Sequence, residues 1–302
     1  MSRSYKATGI NLKAMPIGET DRLLTILTRE QGLIRAVAPG ARKHKSRLGG
    51  RSGQFVINDL LVIQGKQLDK VVQAETVQSF PGLATDLTKL TASQYLAELV
   101  LCQALSEQPQ GELFSLFVEH LERLEQASVQ GVMAGLCQGI FHLLALAGIA
   151  PEVQRCCVSQ QTIQPSLGAV NWQAGFSAIA GGVIGPDQLN TAWTATEATA
   201  PRLRTPPGRY PGRGRTGDRR RQTQTRPTLI TAAELALLQR LGQPELLVVR
   251  SALPQSSSEA VAQDIWSQIE RLLRDYAQYH FDRPIRSATL LDACFPVAVA
   301  PD

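Results

Sequence analysis

Aromatic side chains are scarce in this chain. Phe, Trp and Tyr together make up 5% of its 302 residues, and the first 75 positions hold only Tyr5 and Phe55. A surface that grips nucleobases mainly by ring stacking is therefore not written into that region. Cysteine is also short: Cys102, Cys137, Cys156, Cys157 and Cys294 are odd in number, two are adjacent, and two fall in apolar helical patterns. No disulfide framework follows from that arrangement. The N-terminus, "MSRSYKATGINL", has no apolar core of the kind a signal peptide carries, and the apolar stretch around "IFHLLALAGIA" falls short of the roughly 20 residues a membrane span needs. The reading is a soluble, cytoplasmic protein with no membrane partner.

Catalytic signatures are missing too. There is no P-loop, no GxSxG, no HExxH, and no GxGxxG following a strand. Four histidines are scattered, with His44 in a basic segment, His120 and His142 in helical patterns, and His280 near the end. His120 and His142 read as partly buried helix side chains, and the Glu119/Glu122 pair reads as a solvated helix face. Nothing assembles an acid, a base and a nucleophile, so the chain reads as a non-enzyme without a cofactor.

Acidic residues are absent between Glu30 and Asp59. Within that gap lies "ARKHKSRLGGR", which carries Arg42, Lys43, Lys45, Arg47 and Arg51. The net charge of +5 and the pI near 9.1 do not come from this run alone. Residues 201–228 hold nine arginines against Asp218, a local +8, and setting that aside leaves the remainder at −3. Where charge clusters therefore says more than the total.

The order of patterns gives the fold class. Tyr5 to Met15, Arg22 to Thr28, Leu33 to Pro39, "FVINDLLVIQG" and "DKVVQAETVQSF" read as five short strands without a long helix among them. That composition fits a small closed barrel of the OB type, which leaves no exposed edges. After Pro81-Gly82 the period becomes helical, with Leu87, Leu90, Tyr95, Leu96, Leu99 and Val100 on one face. Glu112 to Glu125 and the nearly all-apolar Val129 to Ala147 follow as helices. Helical signal returns over Ala232 to Leu241 and Ser257 to Tyr279, where Val261, Ile265, Ile269, Leu272, Leu273 and Tyr276 share a face. The expected architecture is α+β and multidomain. An N-terminal barrel (1–80) precedes an all-α domain in two parts (81–150 and 229–302), interrupted by an irregular, degenerate zinc-finger-like region (151–190). The Arg/Pro/Gly-rich stretch 191–228 reads as a disordered linker or insertion.

The zinc-finger likeness is degenerate because "RCCVSQQ" and "GGVIGPDQ" lack the ligands. A structural zinc needs four S or N donors, commonly two CxxC knuckles. Cys156 stands alone in the first knuckle, with Ser159 three positions on, and Gly185 and Gln188 occupy the second. No metal is expected, and apolar packing by Val158, Ile163, Trp172, Phe176 and Ile179 should hold the region instead.

The basic run carries the functional signal. A solvated loop explains most isolated charge runs, but this one joins the third and fourth strands of a barrel class that binds single strands beside its loops. Gly40, Gly49, Gly50 and Gly53 allow close approach to a phosphate backbone. Candidate phosphate contacts are Arg35 on the third strand and Arg42, Lys43, Lys45, Arg47 and Arg51 in the loop, with little sequence specificity expected.

The string "ETDRLLTILTREQGLIRAVAPGARKHKSRLGG" resembles the bacterial recombination mediator family RecO. The likeness continues through "QAETVQSFPGL", "SQYLAELV", "HLLALAGIAPEVQRC" and "LLRDYAQYHFDRPIRSA", and skips residues 191–228. It implies an N-terminal OB fold, a helical C-terminal domain and, in many members, a zinc-binding insertion whose ligands are mostly replaced here. It also implies binding of single- and double-stranded DNA, strand annealing, action with RecR, contact with the acidic tail of single-strand binding protein, indirect service to RecA, and a nucleoid-associated location. The competing reading from the residues is an OB-fold RNA-binding or translation-associated module.

Overall fold

The computed structural model describes residues 4–169, 171–189, 226–243 and 259–295. They fall into two compact units, one drawn from Met1–Ala147 with Pro284–Asp302, the other from Gly148–Arg283. The first unit therefore holds the barrel together with the first helices and the chain's return, not the barrel by itself.

Five strands close the barrel in the order β1-β2-β3-β5-β4: β1 Ser4–Ile17, β2 Asp21–Thr28, β3 Gly32–Ala38, β4 Ile57–Ile63 and β5 Asp69–Gln78. Ladders are antiparallel except where β3 meets β5 in parallel at Ala36/Asp69 and Val37/Lys70. Alternating Leu24, Ile26, Ile34, Ala36, Leu60, Val62 and Val71 fill the interior, which is the period-2 burial the sequence implies. Tyr5 closes this core from one side, its hydroxyl donating to Asp69.

Helices α1 (Leu87–Gln103), α2 (Gly111–Gln126) and α3 (Val132–Leu146) pack on one another in the same unit. Asp86 caps α1 by accepting the N–H groups of Thr88 and Lys89 at 2.7 and 3.1 Å. The stretch Val129–Leu146 is apolar enough, by length and composition, to cross a bilayer, yet 67% of it is buried within the protein, as suits a central bundle helix. Leu87, expected on the buried face of α1, is 68% exposed, because it opens the helix directly after its cap.

The β2–β3 turn is docked on the α1–α2 connection. Leu33 N–H donates to the Leu105 carbonyl at 2.8 Å, Glu107 N–H to that of Gln31 at 3.0 Å, and Gln110 N–H to that of Arg29 at 2.9 Å. Gly32 has φ +67°, and a Cβ there would lie 2.1 Å from the Leu105 carbonyl oxygen, so only glycine fits. The Arg29 guanidinium lies 4.5 Å from the Phe114 ring centre.

The second unit is not all-helical. Strands β6 (Gln173–Ser177), β7 (Gly182–Ile184) and β8 (Thr228–Thr231) form a sheet ordered β7-β6-β8, beside α4 (Ala232–Arg240) and α5 (Glu259–Phe281). In α5, Ile269, Leu272, Leu273 and Tyr276 are buried as expected; Val261, in the first turn, is 47% exposed, Ile265 is half-buried, and Trp266 supplies the buried bulk instead. Of the region 151–190, Ile163 and Phe176 are buried, but Val158 and Ile179 are about half exposed. Val153, Cys156, Val183 and Ile184 are buried in their place: β7 pairs with β6, and Val183 also donates to the Glu152 carbonyl and accepts the Cys157 N–H, which draws the 152–157 segment onto the sheet. Chain return is completed in the first unit by α6 (Ala288–Cys294), whose preceding N–H groups, from Arg286 and Ser287, donate to Glu98 at 2.6 and 3.2 Å. The expected disordered stretch 191–228 lies outside the described residues up to position 225; Thr228 itself belongs to β8.

Candidate nucleic-acid interface

Residues 39–56 join β3 to β4 and are built from tight turns rather than slack chain. Lys43 N–H donates to the Gly40 carbonyl, Ser46 N–H to Lys43, Gly49 N–H to Ser46 and Gly53 N–H to Gly50, each at 3.0–3.2 Å. Apolar side chains anchor both ends of the cationic run: Ala41 is buried in the barrel core and Leu48 packs against it. Between these anchors Arg42, Lys43, His44, Lys45 and Arg47 are all exposed. The sequence marks the charges; the pair of anchors decides which of them face water.

Four polar side chains of the barrel hold the loop's backbone. Asp21 accepts the Gly40 N–H at 2.7 Å. That hydrogen bond, aided by Thr20 and by Lys43 and Lys70 nearby, holds the Asp21 carboxyl below the usual carboxylate range against the small opposing effect of burial. Arg22 donates to the Gly49 carbonyl at 3.0 Å and to Ser52 Oγ at 2.8 Å. The buried amide of Asn11 donates to the carbonyls of Arg51 and Gly53, both at 2.8 Å, and Asn58 donates to Arg51 at 2.9 Å. Buried amides aimed at loop carbonyls fix the loop without consuming any of its cations.

The six candidate residues do not share one role in this geometry. Lys43, Lys45 and Arg47 are exposed, with no carboxylate in salt-bridge range among the described residues. Arg42 is exposed but committed in part: its guanidinium donates to the carbonyls of Gly18 and Glu19, each at 3.2 Å, and its N–H to Thr20 at 2.8 Å. Arg51 is half-buried, and its carbonyl, not its charge, is what the asparagines hold. Arg35 sits on the outer wall of β3 opposite Thr25, about 10 Å along the strand from Ala38, where the loop departs. Two further cations join the loop's foot. Exposed Lys70 pairs with Val37, and Arg22 pairs with Ala38. Neither shows in the sequence, because each is flanked by an acid (Asp69 and Asp21) that makes it look neutralised.

Phe55 is not available for base stacking. It is 3% exposed, with φ +60°, and its ring lies 6.2 Å from that of Phe117 in α2. The loop is thus tethered at its exit to the helical layer. Its departure from β3 lies at the opposite end of the β2–β3 hairpin from the docked turn, roughly 23 Å along β2.

In the second unit, the zinc-knuckle frame survives as geometry without ligands. Cys156 Sγ accepts the N–H groups of Gly185 at 3.2 Å and Ser159 at 3.4 Å. Burial raises the Cys156 thiol, but the N–H groups of Gly185, Ser159 and Val158 and the Ser159 hydroxyl outweigh it and bring it below the ordinary value. Burial pushes its neighbour Cys157 the other way, to about 11, with Cys156 and Glu152 adding to the rise. A Cβ at Gly185 would lie 3.7 Å from Cys156 Sγ, so the chain does bring positions 156, 159 and 185 together. One thiol with Ser, Gly and Gln does not make a zinc donor set, and among the described residues no three His, Cys, Asp or Glu side chains converge.

Comparison with known proteins agrees with an N-terminal barrel domain followed by a distinct C-terminal region. Residues 1–80 match the family model described as Recombination protein O N terminal, and residues 84–206 match Recombination protein O C terminal. The DNA repair protein RecO of Nostoc punctiforme is 49% identical over 309 residues, covering 98% of this chain and 97% of that one. The RecO proteins of Acaryochloris marina and Gloeothece citriformis are 52% and 48% identical, again over 98% of this chain and 96% and 99% of theirs.

Proposed function

This chain belongs to the RecO family of DNA repair proteins, and from that premise we propose that its pinned basic loop grips DNA phosphates. As a family member it is a DNA repair and recombination mediator. The observation that carries the residue-level proposal is the trio Lys43, Lys45 and Arg47, exposed and, among the described residues, in salt-bridge range of no carboxylate, on a loop whose backbone is tied down by Asp21, Arg22, Asn11 and Asn58. A fixed cationic surface meets a phosphate chain with little loss of loop entropy on binding. It reads no base edges, so it serves single and double strands alike.

Annealing follows from the same physics. Two single strands repel along their whole length, and cations shared between them lower that repulsion while leaving the bases free to pair. No group in this geometry needs to make or break a bond, and the proposed role is non-enzymatic. The family likeness supports extending the proposal to partners: RecR, the acidic tail of single-strand binding protein, and through them RecA, in the cytoplasm at the nucleoid. The RNA-binding or translation alternative is not favoured, since the relatives just described are DNA repair proteins.

The test is annealing of complementary oligonucleotides coated with single-strand binding protein. The wild-type protein should speed duplex formation, and a variant with Lys43, Lys45 and Arg47 replaced by Ala should lose most of that effect. Failure of the wild-type protein to speed annealing would overturn the proposal.

A further inference from the structure

Beyond Ile10, β1 leaves β4, whose last paired residue on that side is Ile57, and continues as an edge ribbon with β2, itself still paired with β3, to Ile17/Asp21. The tip of this ribbon reads Met15-Pro16-Ile17-Gly18. Met15 is 40% and Ile17 37% exposed, and Pro16 between them is exposed as well. Large aliphatics on a turn are not needed to make it, since Gly18, at φ +57°, supplies the bend. Pro16 has no N–H to offer, so a partner cannot extend the sheet here by backbone pairing. Whatever meets the tip meets side chains.

Cations surround this apolar point. The Arg42 guanidinium is bonded to the carbonyls of Gly18 and Glu19, Arg22 stands opposite Pro16, and exposed Lys13 lies two residues before Met15. Two acids stand at the tip, Glu19 and Asp21, and Asp21, paired with Ile17, is taken up by the Gly40 N–H. A phosphate chain held by the loop therefore runs beside exposed Met, Pro and Ile side chains, the types that insert against or between bases when no aromatic is present. The barrel offers no such aromatic: Phe55 is buried, and Tyr5 is engaged with Asp69.

We propose that Met15, Pro16 and Ile17 form an aliphatic wedge that contacts the unstacked bases of a single strand while the neighbouring loop holds its phosphates. This rests on the loop's reading as a DNA site and adds to it a preference for single over double strands, because duplex bases are already stacked. The wedge works through base faces and so should not discriminate sequence.

The experiment compares the full-length protein with its Met15→Ser/Ile17→Ser variant on a fluorescent oligothymidine and on an abasic strand of equal length. Wild type should bind the base-bearing strand roughly tenfold or more tightly than the abasic one, as base contacts elsewhere do. The variant should lose that preference while keeping its salt dependence, its duplex affinity and its melting temperature. A Met15→Leu/Ile17→Leu variant should keep the preference. Equal binding of both strands by wild type, or an unchanged ratio in the serine variant, would overturn the wedge and leave the loop's role standing. Binding of neither strand would overturn both. Unchanged DNA binding with annealing abolished only on protein-coated strands would overturn it by assigning the tip to a protein.

Discussion

At the scale of single residues, the loop's cations divide by what else they hold. Lys45 has no backbone to support beyond its own turn, whereas Arg42 ties the loop to the β1–β2 turn through Gly18 and Glu19. Arg42→Ala should therefore lower unfolding free energy by about 1 kcal/mol, and Lys45→Ala should change it by less than about 0.5 kcal/mol, as denaturant titration would show. Both should weaken DNA binding. A loss of stability in Lys45→Ala matching that in Arg42→Ala would mean the bracing has been misplaced. Asn11 gives a sharper case. Asn11→Leu strips the Gly53 carbonyl of its amide partner and leaves Arg51 to Asn58 alone, at a cost of about 1–3 kcal/mol. The charges were legible in the sequence because they stand in an acid-free run. The asparagines were not, since a polar residue in an alternating strand looks like an outward-facing one, and both Asn11 and Asn58 are buried.

Elements show the same division. The barrel strands were legible from alternation, and α1 to α3 from helical period, because local pattern alone determines which face is buried. The sheet of β6, β7 and β8 was not: its strands are three to five residues long, and β8 joins β6 from across positions 190–225. Helix packing also produces a titration device. His120 of α2 is buried, 3.1 Å from His142 of α3, and burial, then His142 and Arg123, hold its pKa down to about 3. A histidine depressed in the fold is protonated first in the unfolded chain, so stability is fully present above about 6.5 and falls as pH drops from there toward 3. Melting temperature should decline over that window in wild type and decline less in His120→Gln; parallel curves would remove His120 as the cause. For the knuckle region, metal analysis of the purified protein should find no stoichiometric zinc, because hydrogen bonding and apolar packing around Cys156 already satisfy the fold. About one zinc per chain would show that donors other than Ser159, Gly185 and Gln188 complete a site.

At the scale of the whole molecule, the chain leaves the second unit's sheet and returns to the same spot. A Cβ at Gly175 would meet Leu189 at 2.8 Å and Pro227 at 3.0 Å, so the residues flanking 190–225 pack on one glycine. Replacing residues 191–225 by a short Gly/Ser linker should leave the melting temperature nearly unchanged and spare annealing at physiological salt, where screening weakens added nonspecific charge; unfolding of the second unit on deletion would contradict this. The central claim concerns the other unit, that a pinned loop binds DNA through phosphates. Its most direct test is the salt dependence of single-strand affinity for wild type and for Lys43→Ala/Lys45→Ala/Arg47→Ala, with Arg42 kept as the brace. Removing one phosphate-binding cation should lower the log–log slope by about 0.7, so the triple variant should bind all sequences more weakly with a slope shallower by about 2. An unchanged slope would take the loop out of the DNA site.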